Sequence, residues 1–196
     1  MHRLIVAIAL VGLSAASCAS APDELSGFVR TPLPSVADIA LPDGSAGGTA
    51  FLMKAPPGEL LLVYFGYTSC PDVCPTTLAD LKTALAALGD DAEHVVFAME
   101  TIDIDRDTDA IITSYVQSFI PGAHGLRARD DATLRAAADA FGANYKVTKD
   151  AGGHYEVQHT ALMYAVDDQG LIQVTWQFGT APQAVTNDLR ILLRRA

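Results

Sequence analysis

Two cysteines, Cys70 and Cys74, stand in the stretch GYTSCPDVCPTT from Gly66 to Thr77, three residues apart and each followed by a proline. Thiols at that spacing suit reversible disulfide exchange or soft-metal binding, and simple burial of a small apolar group competes with both. If the intervening Pro-Asp-Val turns as in a helix, the α-carbons approach to roughly 6 Å, inside the disulfide range. Pro75 disfavours helical geometry at Cys74 and suits a first helical position, which places Cys74 at or near a helix N-cap. There the helix dipole and the unpaired amides favour a thiolate. Packing alone explains Cys74, which shares a helical stripe with Leu78, Leu81, Leu85 and Leu88. It does not explain Cys70, the two prolines or the loop position. A permanent disulfide across so short a loop adds limited stability.

Coordination chemistry narrows the metal reading. Structural zinc asks for four protein ligands, and two thiolates leave it two short. Two soft thiolates with one imidazole suit copper, Cu(I) above all. Of the five histidines, His2 lies in the leader, His94 opens a strand, and His124 and His154 fall in loops, so these read as surface or lost groups. His159 is different, because it immediately precedes the apolar run TALMYAV.

These residues need elements to hold them. GELLLVYFGYT puts Leu60 to Phe65 in one continuous apolar run, the pattern of a strand buried on both faces, and the cysteines lie just past its end. The leucine stripe from Leu78 to Leu88 predicts a helix ended by Gly89. HVVFAMETIDI is a second buried strand, followed by a helix capped by Asp107 or Thr108, with Ile111, Ile112, Tyr115, Val116 and Phe119 as its apolar stripe. DDATLRAAADAFG predicts a helix capped near Asp131 and stopped by Gly142. Thr160 to Phe178 predicts a hairpin around Asp168-Gln169-Gly170, and APQAVTNDLRILLRRA a final helix. A short hairpin around Pro42-Asp43-Gly44, within Val36 to Thr49, precedes all of these. The fold class is therefore α/β, with a central mixed sheet flanked by helices and an N-terminal hairpin extension. Active groups in such sheets gather at the carboxyl ends of strands, where the cysteine loop must be.

The chain has 196 residues, half of them hydrophobic and 18% charged, which predicts one globular domain, taken as residues 35–196. The net charge of −10, with no basic tail or patch, argues against nucleic acid. Residues 1–20, MHRLIVAIALVGLSAASCAS, have a basic start, an apolar run too short to span a membrane comfortably, and small residues, the pattern of a signal peptide. Two processing routes fit: cleavage at Ala19-Ser20-Ala21, or lipidation at Cys18 after an imperfect lipobox, Ala15-Ala16-Ser17. Either removes Cys18 from the thiol pool. Residues 21–34, rich in Pro, Ser and small residues, read as a tether.

Cysteines in the first strand-to-helix loop make the chain similar to thioredoxin folds, in which the loop facing the cysteines normally carries a cis-proline. This chain has no proline between Pro121 and Pro182, and His159-Thr160 occupies that position. YFGYTSCPDVCPTTL resembles the cysteine motif of the Sco (SenC) family of copper proteins. TIDIDRDT resembles that family's Val-Asp-Pro-x-Arg-Asp-Thr segment, and YEVQHTALMY its histidine segment, in the same order and spacing from about Leu61 to Tyr164. The resemblance implies a thioredoxin-like domain that binds one copper, as Cu(I) or Cu(II), through Cys70, Cys74 and His159, with Cys70 and Cys74 also a redox-active pair. It further implies an exported metallochaperone on the periplasmic side of the inner membrane, lipid-anchored or released. Its partners would be the copper-bearing subunit of cytochrome c oxidase and another periplasmic copper carrier. A thiol-disulfide oxidoreductase that keeps a partner's cysteines reduced, or a redox or copper sensor, uses the same residues. Gln158 departs from the family, which usually has aspartate before the histidine, and a carboxylate there could orient the imidazole. Asp103, Asp105, Arg106 and Asp107 are expected to serve capping and local ion pairing. Asp72 reads as an exposed turn carboxylate and Met99 and Met163 as core, while Tyr64, Phe65 and Tyr67 are expected to pack around the site and limit water.

Overall fold

Leu60–Gly66 (β3) is buried at every position, which only a strand covered on both faces can be. In the computed structural model, which describes residues 24–150, 152, 153 and 155–196, β3 lies between two different kinds of neighbour. It pairs in parallel with β4 (Val95–Thr101) and antiparallel with β8 (Leu162–Val166). The crossover from β3 to β4 runs through α1 (Val73–Leu88), and that from β4 to the short parallel strand β5 (His124–Leu126) through α2 (Asp109–Phe119). β8 turns through Asp167 to Gly170 into β9 (Ile172–Gln177), which leads to α4 (Pro182–Leu193). The expected N-terminal hairpin is β1 (Ala40–Asp43) with β2 (Thr49–Leu52), its second strand running to Leu52 rather than ending at Thr49. Among the described residues the main sheet has the order β2-β1-β5-β4-β3-β8-β9.

Cap chemistry accounts for most helix ends. Thr108, not Asp107, caps α2, its hydroxyl accepting from the Ile111 amide. Asp130 caps α3 (Asp131–Phe141), and Gly142 ends it at φ 72°, the left-handed geometry that favours glycine. Pro182 opens α4. α4 packs beside α1, where Thr186 and Arg190 donate to the carbonyls of Ala84 and Ala87. α3 sends Phe141 against Phe65 and Tyr164, so Phe65 belongs to the core on α3's side of the sheet rather than to the cysteine loop.

Two features depart from the sequence reading. Residues 21–34 are expected to be a tether, yet from Ser26 onward the chain is strapped to the domain. The Ser26 and Gly27 amides donate to the buried carboxylate of Asp188, and Phe28 exchanges both backbone hydrogen bonds with Thr175 on the outer edge of β9. An edge strand offers unpaired amides and carbonyls, and the strap pairs both of those of Thr175 and the amide of Ile172. The second departure is a two-stranded sheet, β6 (Tyr145–Lys149) and β7 (Tyr155–His159), which stands outside the main ladder and ends on His159. Its short alternating strands lack the apolar runs that marked the others. The signal-peptide and Cys18 readings, and His154, lie outside the described residues.

Candidate metal centre

The carboxyl end of β3 is built for close approach. A Cβ on Gly66 would stand 2.6 Å from Tyr64 Cε1, 2.8 Å from Met99 Cε and 3.0 Å from Cys74 Sγ, so only glycine lets the chain pass the sulfur there. The loop beyond is pinned from α2's side. Asp107, buried, accepts from the Thr68 amide at 2.9 Å, from the Thr68 hydroxyl and from the Thr101 hydroxyl at 2.6 Å. Neither capping nor local pairing, the roles expected from sequence, describes it. Its partner Thr68 is 39 residues away, and no local pattern announces such a contact.

Cys74 sits inside α1 rather than at its cap. Asp72 occupies the N-cap without a side-chain capping bond, and Cys74 is the second helical residue, followed by Pro75. The first turn of a helix tolerates proline because its amides have no intrahelical acceptor. One of those free amides, that of Cys74, donates to Cys70 Sγ at 3.2 Å. The helix terminus therefore serves Cys70, which is half-buried, while Cys74 is fully buried and its thiol is pushed up to about 12 by desolvation. Both cysteines are free thiols.

His159 ends β7 and completes the group. Its Nδ1 lies 3.2 Å from the Thr160 carbonyl and its Nε2 3.7 Å from Cys74 Sγ. A proton on Nδ1 donated to that carbonyl leaves the Nε2 lone pair facing the sulfurs. Burial holds the ring below the usual histidine range, against backbone hydrogen bonding at Thr160 and Phe65, which favours the neutral, ligating form. The Cys70, Cys74 and His159 ligand atoms all lie within 4.8 Å of one another. Among the described residues no other cluster of three or more such groups is arranged this way. Gln158 points elsewhere, donating to Glu156 at 2.8 Å, so the Thr160 carbonyl does the orienting that a neighbouring carboxylate could have done.

Aromatic rings close the site. Tyr64 and Tyr67 meet the imidazole edge-on with centroids at 6.1 and 5.9 Å, and the Tyr64 hydroxyl donates to Cys74 Sγ at 3.6 Å. Two of the three aromatic residues expected here are in place, Phe65 being the exception. Met99 and Met163 are buried in the core, and Asp72 is exposed, as expected. His94 is exposed. His124 is not simply solvated: its Nδ1 meets the buried Asp43 carboxylate at 2.7 Å, tying β5 to the N-terminal hairpin.

Two thiols and an imidazole converging with no carboxylate among them form a soft, three-donor set, which suits copper better than zinc, calcium or magnesium. The family model described as SCO1/SenC matches residues 45–194, from the N-terminal hairpin to the end of α4. The chain belongs to the SCO1/SenC family. Among solved SCO1/SenC structures, copper-bound ScoI of Bradyrhizobium japonicum is 34% identical, covers 78% of this chain and 95% of its own, and superposes with a TM-score of 0.66. Apo Sco1 of Thermus thermophilus is 32% identical over 88% of this chain and 99% of its own, with a TM-score of 0.75. The mixed sheet flanked by helices is thus the thioredoxin-like fold of the family. A SCO2-like protein of Rickettsia felis is 28% identical over 135 residues, 68% of this chain and 65% of the relative. The chain matches somewhat less than two thirds of the length of such curated relatives.

Proposed function

We propose that this chain is an exported copper-binding metallochaperone acting in assembly of the copper centre of cytochrome c oxidase, with Cys70, Cys74 and His159 as its copper ligands. The observation that carries the reading is the convergence of those three ligand atoms within 4.8 Å at the end of β3, in a family member similar to a copper-bound ScoI. Copper is the cargo, one per chain, as Cu(I) or Cu(II). Cys74 is the buried donor, while Cys70 and His159 are both half-buried, so a partner's ligands enter from the Cys70 and His159 side and replace the donors in turn. Tyr64 and Tyr67 keep bulk water from the imbedded sulfur and ring. The recipient is the copper-bearing subunit of the oxidase, and another periplasmic copper carrier is the donor. That location rests on the leader sequence: export to the periplasmic side of the inner membrane, held by a lipid on Cys18 or released by cleavage at Ala19-Ser20-Ala21. Among the described residues no helix is long and apolar enough to cross a membrane.

A second reading follows from the unequal exposure of the two thiols. Half-buried Cys70 in front of fully buried Cys74 is an attacking thiol with a resolving one behind it. A partner disulfide would be reduced to its dithiol while Cys70 and Cys74 join as a disulfide, the two electrons and two protons passing to the partner. His159→Ala separates the readings. Anaerobic titration of the reduced parent with Cu(I) should end at one copper per chain, and the variant should lose more than the roughly 10–100-fold that outer-shell changes cost at metal sites. Its exchange with a small disulfide should continue at near the parent rate. A variant that binds copper as tightly as the parent would show that His159 is no ligand.

A further inference from the structure

β6 and β7 pair only with each other among the described residues, so although the His159 ring meets backbone groups at Thr160 and at Phe65 on β3, no main-sheet ladder sets the direction of the arm that carries it. Side chains set that direction. At the base of this arm Tyr145, directly opposite His159, donates its hydroxyl to Asp131 at 2.6 Å and lies 3.7 Å under the Arg135 guanidinium. Four residues before His159, at the start of β7, Tyr155 meets a second guanidinium: Arg106 Cζ is 4.3 Å from its ring centroid. Arg106 is ion-paired with buried Asp103, and the next residue, Asp107, is the one that holds Thr68 and with it the cysteine loop. One short turn, 103–107, thus touches both halves of the site.

We propose that Arg106 and Tyr155 are positioning residues for the metal centre, a clamp that docks the histidine arm onto the turn that holds the cysteines. The inference rests on His159 serving as a ligand. Gripped only at Tyr145, the arm could pivot about its base; a grip four residues along the same strand fixes its direction and hence the direction of the imidazole. A planar guanidinium over a ring suits this task, because its stacking fixes orientation as well as distance. The turn carries the Asp-x-x-Arg-Asp pattern of Asp103 to Asp107, whose residues otherwise have no part at the sulfurs except Asp107.

Tyr155→Leu is the principal test, because Arg106 also neutralises Asp103 and its removal disturbs more than the clamp. In the metal-free protein the His159 ring signals should shift or broaden in NMR spectra. Cu(I) binding should weaken about tenfold, the lower end of outer-shell effects, with altered nitrogen hyperfine structure for bound Cu(II). Tyr155→Phe, which keeps the aromatic face, should match the parent. Arg106→Lys, which keeps Asp103 paired but loses planar stacking, should reproduce the Tyr155→Leu change, and combining the two should add little. Unchanged His159 signals and copper affinity in Tyr155→Leu, or additive effects of the two substitutions, would overturn the clamp. The NMR measurement uses metal-free protein and so judges the clamp apart from the copper reading. A parent that bound no copper would instead sink the ligand assignment.

Discussion

At Cys74 two effects compete. A position in the first turn of α1 favours an anion by roughly 0.3–1 kcal/mol. Complete burial opposes it, and the rise of the thiol from 9.0 to about 12 corresponds to about 4 kcal/mol against the thiolate. Desolvation wins, and the free amide turns to Cys70 instead. Glu100 shows the same physics away from the site. It is wholly buried on β4, with one oxygen accepting from the Ala128 amide at 2.8 Å and the other without a partner among the described residues. Burial raises its carboxyl from 4.5 to about 8. Because the folded value lies above the unfolded one, its contribution to stability is fully present below pH 4.5 and is lost as pH rises through 8. Thermal midpoints measured from pH 5 to 8 should therefore fall more steeply in the parent than in Glu100→Gln. Parallel curves would refute the buried acid.

At the scale of elements, the site is assembled from parts that do not share a ladder. β3 and α1 supply the sulfurs, the β6–β7 arm supplies the imidazole, and the turn ahead of α2 holds the loop through Asp107. Truncating that carboxylate strands three donors, Thr68 N, Thr68 Oγ1 and Thr101 Oγ1. Asp107→Ala should cost about 2–3 kcal/mol in chemical denaturation, the scale of unsatisfied buried partners. It should also raise amide exchange in the cysteine loop while leaving that of α4 unchanged. The strands and helices themselves were legible because each carries its own pattern: the unbroken apolar run of β3, the leucines of α1, Asp130 and Gly142 around α3. The β6–β7 arm was not, since its burial alternates weakly and its pairing depends on the other strand.

Across the whole molecule, the N-terminal strap closes the β9 edge. Asp188, buried on α4, accepts from Ser26 N at 2.8 Å, Gly27 N at 3.0 Å and Trp176 Nε1 at 2.7 Å, so one carboxylate joins the strap, the last strand and the last helix. Asp188→Ala should destabilise the fold by about 2–4 kcal/mol and open residues 26–35 to limited proteolysis before the domain unfolds. A strap that stayed protected would mean that the Phe28 and Ser35 bridges suffice. Phe28, 68% exposed, adds little burial of its own, which is why the carboxylate is expected to dominate.

What the sequence by itself determined is local or motif-bound: the buried strand that ends at the cysteine loop, the helices and their stops, the paired thiols, and three motifs in family order. These are encoded by periodicity, capping residues and spacing, which a linear chain displays directly. Only the tertiary structure decided how those parts meet. His159 faces Cys74 across 85 positions, Asp107 reaches Thr68 across 39, and Ser26 reaches Asp188 across 162. Such contacts follow from topology and from which buried polar groups must find partners, so residues 26–34 lost their expected freedom and Asp107 its expected capping role, while Cys74, near the helix cap as expected, proved buried and left the free amide to Cys70. A polar side chain shows in the sequence that it needs a partner once buried; which partner it gets is settled when the chain closes on itself.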